Sequence, residues 1–380
     1  MAARLPTRGL PRILLVSTSY PASATDWRGR FIADMVRTLA ETRMLRLGLW
    51  APPGELPETV ADVATAEETT WLARLMQAGG IAHRLRARGP LALGTVFGLL
   101  SRLKHVYRRS DADLFHVNWL QNALPLAGSA KPVLVTVLGT DFGLLRLPGM
   151  VALLKRALRG RRVVLAPNAG WMESELKRKF GDIASVSSIP FGVDEPWFGV
   201  RRAPAISPPY RWLAVTRLTR GKLGPLLEWG EAVFRNGHEL HLFGPQQETE
   251  IEIPAWVHYH GPTHPTELRE TWFPQATGLI TLSRHNEGRP QVVLEAMAAG
   301  LPVIASVLPA HSDVILHRRT GMLIDSPEAL AEAHGFLTSA RNNHGMGEAA
   351  RAWVRTNVGT WRDCAQRYLE AYRTLLQVAA

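Results

Sequence analysis

Short apolar runs alternate along this chain with longer stretches in which apolar residues recur at helical spacing. Ile13–Ser17, Leu45–Trp50, Leu114–Val117, Val133–Leu138, Val163–Ala166 and Val186–Ile189 read as one series of strands. Arg211–Val215, Glu239–Phe243, Val257–His260, Gly278–Thr281 and Pro302–Ala305 read as a second. Short strands that are apolar throughout, separated by helices, predict parallel sheets covered on both faces. Two series predict two doubly wound domains. The boundary falls near Pro190 to Asp194, and the proline-rich stretch Arg202 to Pro209 reads as a linker or entry loop. In the last stretch, Tyr368, Ala371, Tyr372 and Leu375 mark a final helix. The expected division is therefore residues 1–192 and 193–360, with a helix over about 361–380.

The segment from Glu287 to Ile304 carries the most readable chemistry. Gly288 permits an unusual turn, and Pro290 suits the first turn of a helix. That helix runs through Val292, Leu294, Glu295 and Met297 and stops at Gly300, before a buried strand from Pro302 to Ile304. The amides of Gly288, Arg289, Pro290's neighbours Gln291 and Val292, and the helix dipole make an anion site. Glu287 sits just before this helix end and Glu295 about 7 Å along the axis from it, at 1.5 Å per residue. Carboxylates repel phosphate but accept hydrogen bonds from sugar hydroxyls, so one glutamate can face a donor sugar and the other a ribose. The plainer alternative is a surface helix with two solvated glutamates.

Composition narrows the setting. The 380 residues are 46% hydrophobic and 20% charged, ordinary for a globular protein and long enough for two cores. The single cysteine, Cys364, excludes an internal disulfide and points to a reducing cytoplasm. Residues 1–190 hold 26 Lys/Arg against 14 Asp/Glu, or +12, while the remainder is near neutral. Such a field attracts anionic partners. Its clusters are His83 to Arg88, Arg102 to Arg109 and Lys155 to Arg162, with the apolar Leu91 to Leu100 between the first two. An apolar patch flanked by arginines fits an anionic membrane surface, with a solvated helix face as the alternative. No nucleic-acid motif accompanies the charge, so no nucleic acid partner is expected. The uncharged stretch Gly89 to Ser101 is well short of the roughly 20 residues that cross a bilayer. Asp111-Ala-Asp113 precedes a strand and reads as a loop, so no metal is expected. The first strand is not followed by G-x-G-x-x-G, and no P-loop is present.

The Glu287–Ile304 segment resembles the E-x7-E motif of retaining glycosyltransferases of the GT-B fold, especially glycosyltransferase family 4. Arg217 and Lys222, within Ala214-Val-Thr-Arg-Leu-Thr-Arg-Gly-Lys, resemble that family's diphosphate clamp. Gly244, in Leu242-Phe-Gly-Pro, resembles the glycine turn of its nucleotide-binding domain, and Gly261, in His260-Gly-Pro-Thr, the loop beside the base. Thr320-Gly-Met-Leu-Ile324 resembles a late glycine turn, and Pro190-Phe-Gly-Val-Asp194 the domain junction. In the N-terminal half Gly29 matches a glycine-containing loop near the diphosphate, where Arg28 or Arg30 reaches phosphate unless this is a plain strand-to-helix turn. Val135 to Asp141 resembles a segment that often reads His-Gly-x-Asp; here Leu138 takes the histidine's place. Asp141 is the acceptor-side candidate, with a helix cap as the alternative. His116 stands in for the lost histidine or is structural.

The resemblance implies two Rossmann-like domains facing across a cleft, with the helix over about 361–380 packing back on the N-terminal domain. The N-terminal domain takes a glycan or lipid-linked acceptor and the C-terminal domain a nucleotide-sugar donor. It implies transfer with retention and without a metal or other cofactor, in envelope polysaccharide or lipopolysaccharide synthesis on the inner face of the cytoplasmic membrane. Glu287 faces the donor sugar and Glu295 the ribose. A nucleotide-sugar epimerase, a phosphorylase and a non-catalytic sugar-nucleotide or nucleic-acid binder are the rival readings.

Overall fold

A computed structural model describes residues 9–23, 26–80, 93–204, 207–285 and 287–377. The chain divides into two compact units, Met1–Phe191 with Trp361–Ala380, and Gly192–Thr360. The first unit holds β1 (Arg12–Val16), β2 (Arg46–Trp50), β3 (Val60–Asp62), β4 (Leu114–Asn118), β5 (Val133–Val137), β6 (Val163–Pro167) and β7 (Ser185–Val186). They form one sheet in the order β3-β2-β1-β4-β5-β6-β7, and every pairing is parallel. Strands β4, β5 and β6 are buried at all five positions, which is why they read as unbroken apolar runs.

The second unit holds β8 (Tyr210–Val215), β9 (His238–Phe243), β10 (Val257–Gly261), β11 (Gly278–Thr281), β12 (Val303–Ser306) and β13 (Met322–Ile324). Their order is β10-β9-β8-β11-β12-β13, again parallel throughout. In both sheets the order reverses once, between β1 and β4 and between β8 and β11. In open sheets of this kind the crevice beyond the strand C-termini at that reversal is where ligands bind.

Helices cover both sheets. In the first unit they include α1 (Arg30–Glu41), α2 (Ala66–Gln77), α3 (Leu93–Arg109), α4 (Met150–Leu158) and α5 (Glu173–Phe180). Thr65 and Glu68 close α2 with a reciprocal capping box. In the second unit they include α6 (Arg220–Leu223), α7 (Gln291–Ala298), α8 (Pro309–Ser312), α9 (Pro327–Thr338) and α10 (Ala340–Asn357). The last helix, α11 (Trp361–Leu376), belongs to the first unit and buries Trp361, Cys364, Ala365, Tyr368, Leu369, Tyr372 and Leu375 in its core.

Three details differ from the sequence pattern. Strands β3 and β13 were not anticipated, because three residues at a sheet edge leave no periodicity to read. The expected strand Val186–Ile189 is regular only over Ser185–Val186, though the Ser187 and Ile189 amides still donate to the Leu165 and Pro167 carbonyls of β6 at 3.2 and 2.9 Å. Pro290 caps α7 from just outside rather than opening its first turn. The stop at Gly300 is as expected, with φ +69° just past the helix end.

Candidate active site

The reversal point of the second sheet brings the loops after β8 and β11 together. The β8 loop runs through Thr216 and Arg217 into α6, whose Lys222 amide is capped by the Thr219 hydroxyl at 3.2 Å. The β11 loop runs through Ser283 and Arg284 to Glu287 and α7. The Arg284 amide donates to the Gly221 carbonyl at 2.8 Å, tying one loop to the other. Across this tie Lys222 Nζ meets Glu287 Oε2 at 2.5 Å, with both side chains largely shielded. Sequence reasoning assigned both residues to the donor but did not foresee their contact with each other. Glu295 lies half-buried in the second turn of α7.

At α7 the first intrahelical bond runs from the Leu294 amide to the Pro290 carbonyl, at 3.3 Å. The amides of Gln291, Val292 and Val293 therefore lie ahead of the helical ladder and point out of the helix start, where an anion is favoured. Gly288 is buried and Val292 half-buried. Arg289, whose amide is expected at the donor, has its guanidinium in a shielded pair with Asp313 at 2.5 Å. The Gln291 side chain donates to the Gly192 carbonyl at 2.8 Å. Both side chains brace the loop, so only their backbone is available to the helix start.

Arg217 is half-buried, and its Nη1 donates to the Gln247 side chain at 3.3 Å. Gly244 lies beside it, with its amide on the Gly261 carbonyl at 2.8 Å. At φ +128°, a Cβ on Gly244 would fall 1.9 Å from the Thr216 carbonyl oxygen, so only glycine lets the β8 and β9 ends come this close. Gly261 has φ +72° and ends β10, next to His260, whose ring stacks on Phe243.

One residue at this site left no trace in the sequence reading. His311, in α8, is fully buried, and its Nε2 faces Glu287 Oε1 at 3.9 Å. Burial holds its pKa below the ordinary histidine value. It is remote from Glu287 in sequence, and the pairing of β11 with β12 makes them neighbours.

In the first unit the sequence candidates separate into different jobs. Gly29, at φ +71°, caps α1, and a Cβ there would lie 2.6 Å from the Ser19 hydroxyl. Arg28 is held by Asp26 at 2.9 Å and by the Met76 carbonyl at 3.2 Å, and Arg30 is half-buried. Asp141 is buried, and its two oxygens accept from the Leu120 and Leu138 amides, each at 2.8 Å. Its carboxyl pKa is raised to about 6, burial being the largest cause. Its side chain thus fastens the β5 loop to the segment after β4, and it makes no side-chain cap to the short helix it precedes.

His116 is a core residue. Its Nδ1 meets the Tyr372 hydroxyl at 2.6 Å, its Nε2 meets the Thr136 hydroxyl at 2.8 Å, and burial pushes its pKa down to about 3. Asp111 pairs with the Arg12 guanidinium at 2.5 Å, and Asp113 accepts from the Arg12 amide at 2.8 Å. The basic cluster His83 to Arg88 lies outside the described residues. Elsewhere in the basic half, Arg102 meets Glu67, Arg109 meets Glu68 and Lys155 meets Asp182.

Residues 222–339 match a family described as "Glycosyl transferases group 1". A GDP-mannose-dependent alpha-(1-6)-phosphatidylinositol monomannoside mannosyltransferase of Mycobacterium tuberculosis is 25% identical over 394 residues, covering 93% of this chain and 95% of the relative. A D-inositol 3-phosphate glycosyltransferase of Corynebacterium urealyticum is 30% identical over 128 residues, which span 33% of this chain and 30% of that relative's length. Among solved structures, the sucrose-phosphate synthase of Thermosynechococcus elongatus superposes with a TM-score of 0.70 at 16% identity, over 96% of this chain and 99% of that one. The fold is GT-B, built of two Rossmann-like α/β domains.

Proposed function

We propose that this chain is a glycosyltransferase that moves a sugar from a UDP- or GDP-sugar to a glycan or lipid-linked acceptor, with retention of configuration. The observation that carries the reading is the Lys222–Glu287 pair at 2.5 Å, set at the sheet's reversal point beside the start of α7. A cation, a row of helix-start amides and a shielded carboxylate in one place suit a diphosphate joined to a sugar. The family match over residues 222–339 supports the same reading.

In this reading Lys222 and Arg217 neutralise the diphosphate and stabilise it as it leaves. Glu287 accepts from the donor sugar's hydroxyls and Glu295 from the ribose. The bond from the anomeric carbon to the diphosphate breaks, and a bond to the acceptor oxygen forms on the same face. The acceptor's proton passes to the departing diphosphate. No step requires a metal or other cofactor.

A lipid-linked acceptor agrees with the Mycobacterium relative, whose name couples GDP-mannose to a phosphatidylinositol mannoside. It agrees also with α3, where Leu93 and Phe97 are 49% and 70% exposed and the same helix carries exposed Lys104 and Arg108. No helix among the described residues is long and apolar enough to cross a membrane. The setting we propose is therefore peripheral, on the cytoplasmic face of the membrane, in envelope polysaccharide or lipopolysaccharide synthesis.

A thermal-shift screen against UDP- and GDP-sugars tests the donor assignment. A matched donor at a hundred times its Kd stabilises the fold by about 2.7 kcal/mol and raises Tm by several degrees. Failure of every nucleotide sugar to move Tm overturns it. Release of nucleoside diphosphate that depends on added acceptor separates transfer from epimerisation.

A further inference from the structure

His311 holds a ring nitrogen that no described residue satisfies. Its Nδ1 lies 2.8 Å from the Ser306 carbonyl oxygen, and the Ser306 hydroxyl itself donates to the Ser283 carbonyl at 2.6 Å. Nδ1 therefore carries the ring proton. The opposite nitrogen, Nε2, is buried without a hydrogen-bond partner among the described residues. It faces Oε1 of Glu287 at 3.9 Å, too far for a hydrogen bond, while Lys222 holds the other oxygen at 2.5 Å. Glu287 is thus set between two basic groups and engaged by one of them. Buried polar atoms left unpaired in this way call for an explanation.

We propose that His311 is a positioning residue for Glu287, taking up a proton and the Glu287 carboxylate when Lys222 turns to the donor diphosphate. This rests on the donor reading above. As the site stands the imidazole is neutral: burial is the largest cause and the Lys222 charge adds to it, against the opposing pulls of the Ser306 carbonyl and Glu287. A diphosphate cancels the Lys222 charge and draws its ammonium away from Glu287. Both changes favour a proton on Nε2. That proton comes from solvent and is then donated to Glu287 Oε1, and no other bond forms or breaks. The charged groups facing the ring are Lys222 from α6 and Glu287 from the loop before α7. Just past the end of its own helix, Asp313 is turned to Arg289 at 2.5 Å. Glu287 so stays aimed at the sugar while Lys222 serves the phosphates.

The test is calorimetric titration of the full chain with UDP and with GDP, in buffers of differing ionisation enthalpy. Wild type is expected to bind one of them with proton uptake beyond that of the nucleotide's own ionisation. His311→Gln, which can still donate to Ser306 but cannot take a proton, is expected to lose that excess. The affinity advantage of wild type over His311→Gln should grow about 3- to 10-fold between about pH 8 and pH 6. Nucleotide ionisation is common to both proteins and cancels in the comparison. Equal proton uptake and parallel pH profiles overturn the role of His311 while leaving the donor reading intact. Should the variant not fold, wild-type uptake no greater than the nucleotide's own overturns it alone. A folded wild type that binds neither nucleotide overturns the donor reading, and this inference with it.

Discussion

Asp141 and His311 are both shut away from water, and their surroundings give them opposite characters. Asp141 has an amide on each oxygen, whereas His311 has a nitrogen with no partner among the described residues. Asp141→Ala leaves the Leu120 and Leu138 amides unpaired and should destabilise the fold by about 2–4 kcal/mol in urea titrations. The pH dependence has a definite sign. The folded carboxyl holds its proton to about pH 6, against 3.8 ordinarily, so the group's contribution is full at low pH and falls as pH rises through about 6. The stability gap between wild type and Asp141→Ala should accordingly narrow from about pH 4 to about pH 7, and a gap independent of pH would contradict the assignment. The sequence made Glu287, Lys222 and Arg217 visible because each sits at a fixed spacing from a strand end or a glycine. It left His311 invisible, since Leu308-Pro-Ala-His offers no spacing and its nearness to Glu287 arises only when β11 and β12 pair.

At the scale of elements, the close passage of the β8 and β9 ends fixes the loop that carries Arg217. Gly244→Ala puts a methyl 1.9 Å from the Thr216 oxygen, and backbone rather than a flexible side chain must give way. The expected result is a loss of nucleotide affinity of about tenfold or more and a stability loss of about 2–4 kcal/mol, read by UDP or GDP titration and thermal melting. Wild-type affinity in a destabilised Gly244→Ala protein would show that this turn does not place the clamp. The interior strands were legible as runs of apolar residues because helices cover both their faces. The α7 helix was legible from Pro290 and Gly300. The edge strands β3 and β13 were not, because their pairing is imposed by the neighbouring strand. The bracing roles of the Arg289 and Gln291 side chains were not legible, because a position at a helix start does not say which way the side chain turns.

For the whole molecule, the charge is divided as the sequence states, with +12 over residues 1–190, although Glu67, Glu68 and Asp182 each hold one of these cations. Flotation with anionic vesicles should show binding at low salt that weakens at about 0.5 M, where the screening length falls to roughly 4 Å. Phe97→Asp, on the exposed face of α3, should cut the bound fraction several-fold; failure of wild type to float would remove the membrane proposal. The two-unit plan was legible because two strand series stand one after the other. The return of α11 to the first unit was legible from the family resemblance and not from periodicity, since its destination depends on Tyr372 and Tyr368 reaching His116 and Thr136. That return sets an order of events on the ribosome. The unit spanning Gly192–Thr360 has all its strands before residue 361 is made, while the first unit waits with the face for Trp361, Tyr368 and Tyr372 uncovered. Vectorial synthesis usually completes the leading domain first. Here the leading unit cannot close its core until α11 is made, after the last residue of the trailing unit, so its completion waits on the end of synthesis rather than preceding it.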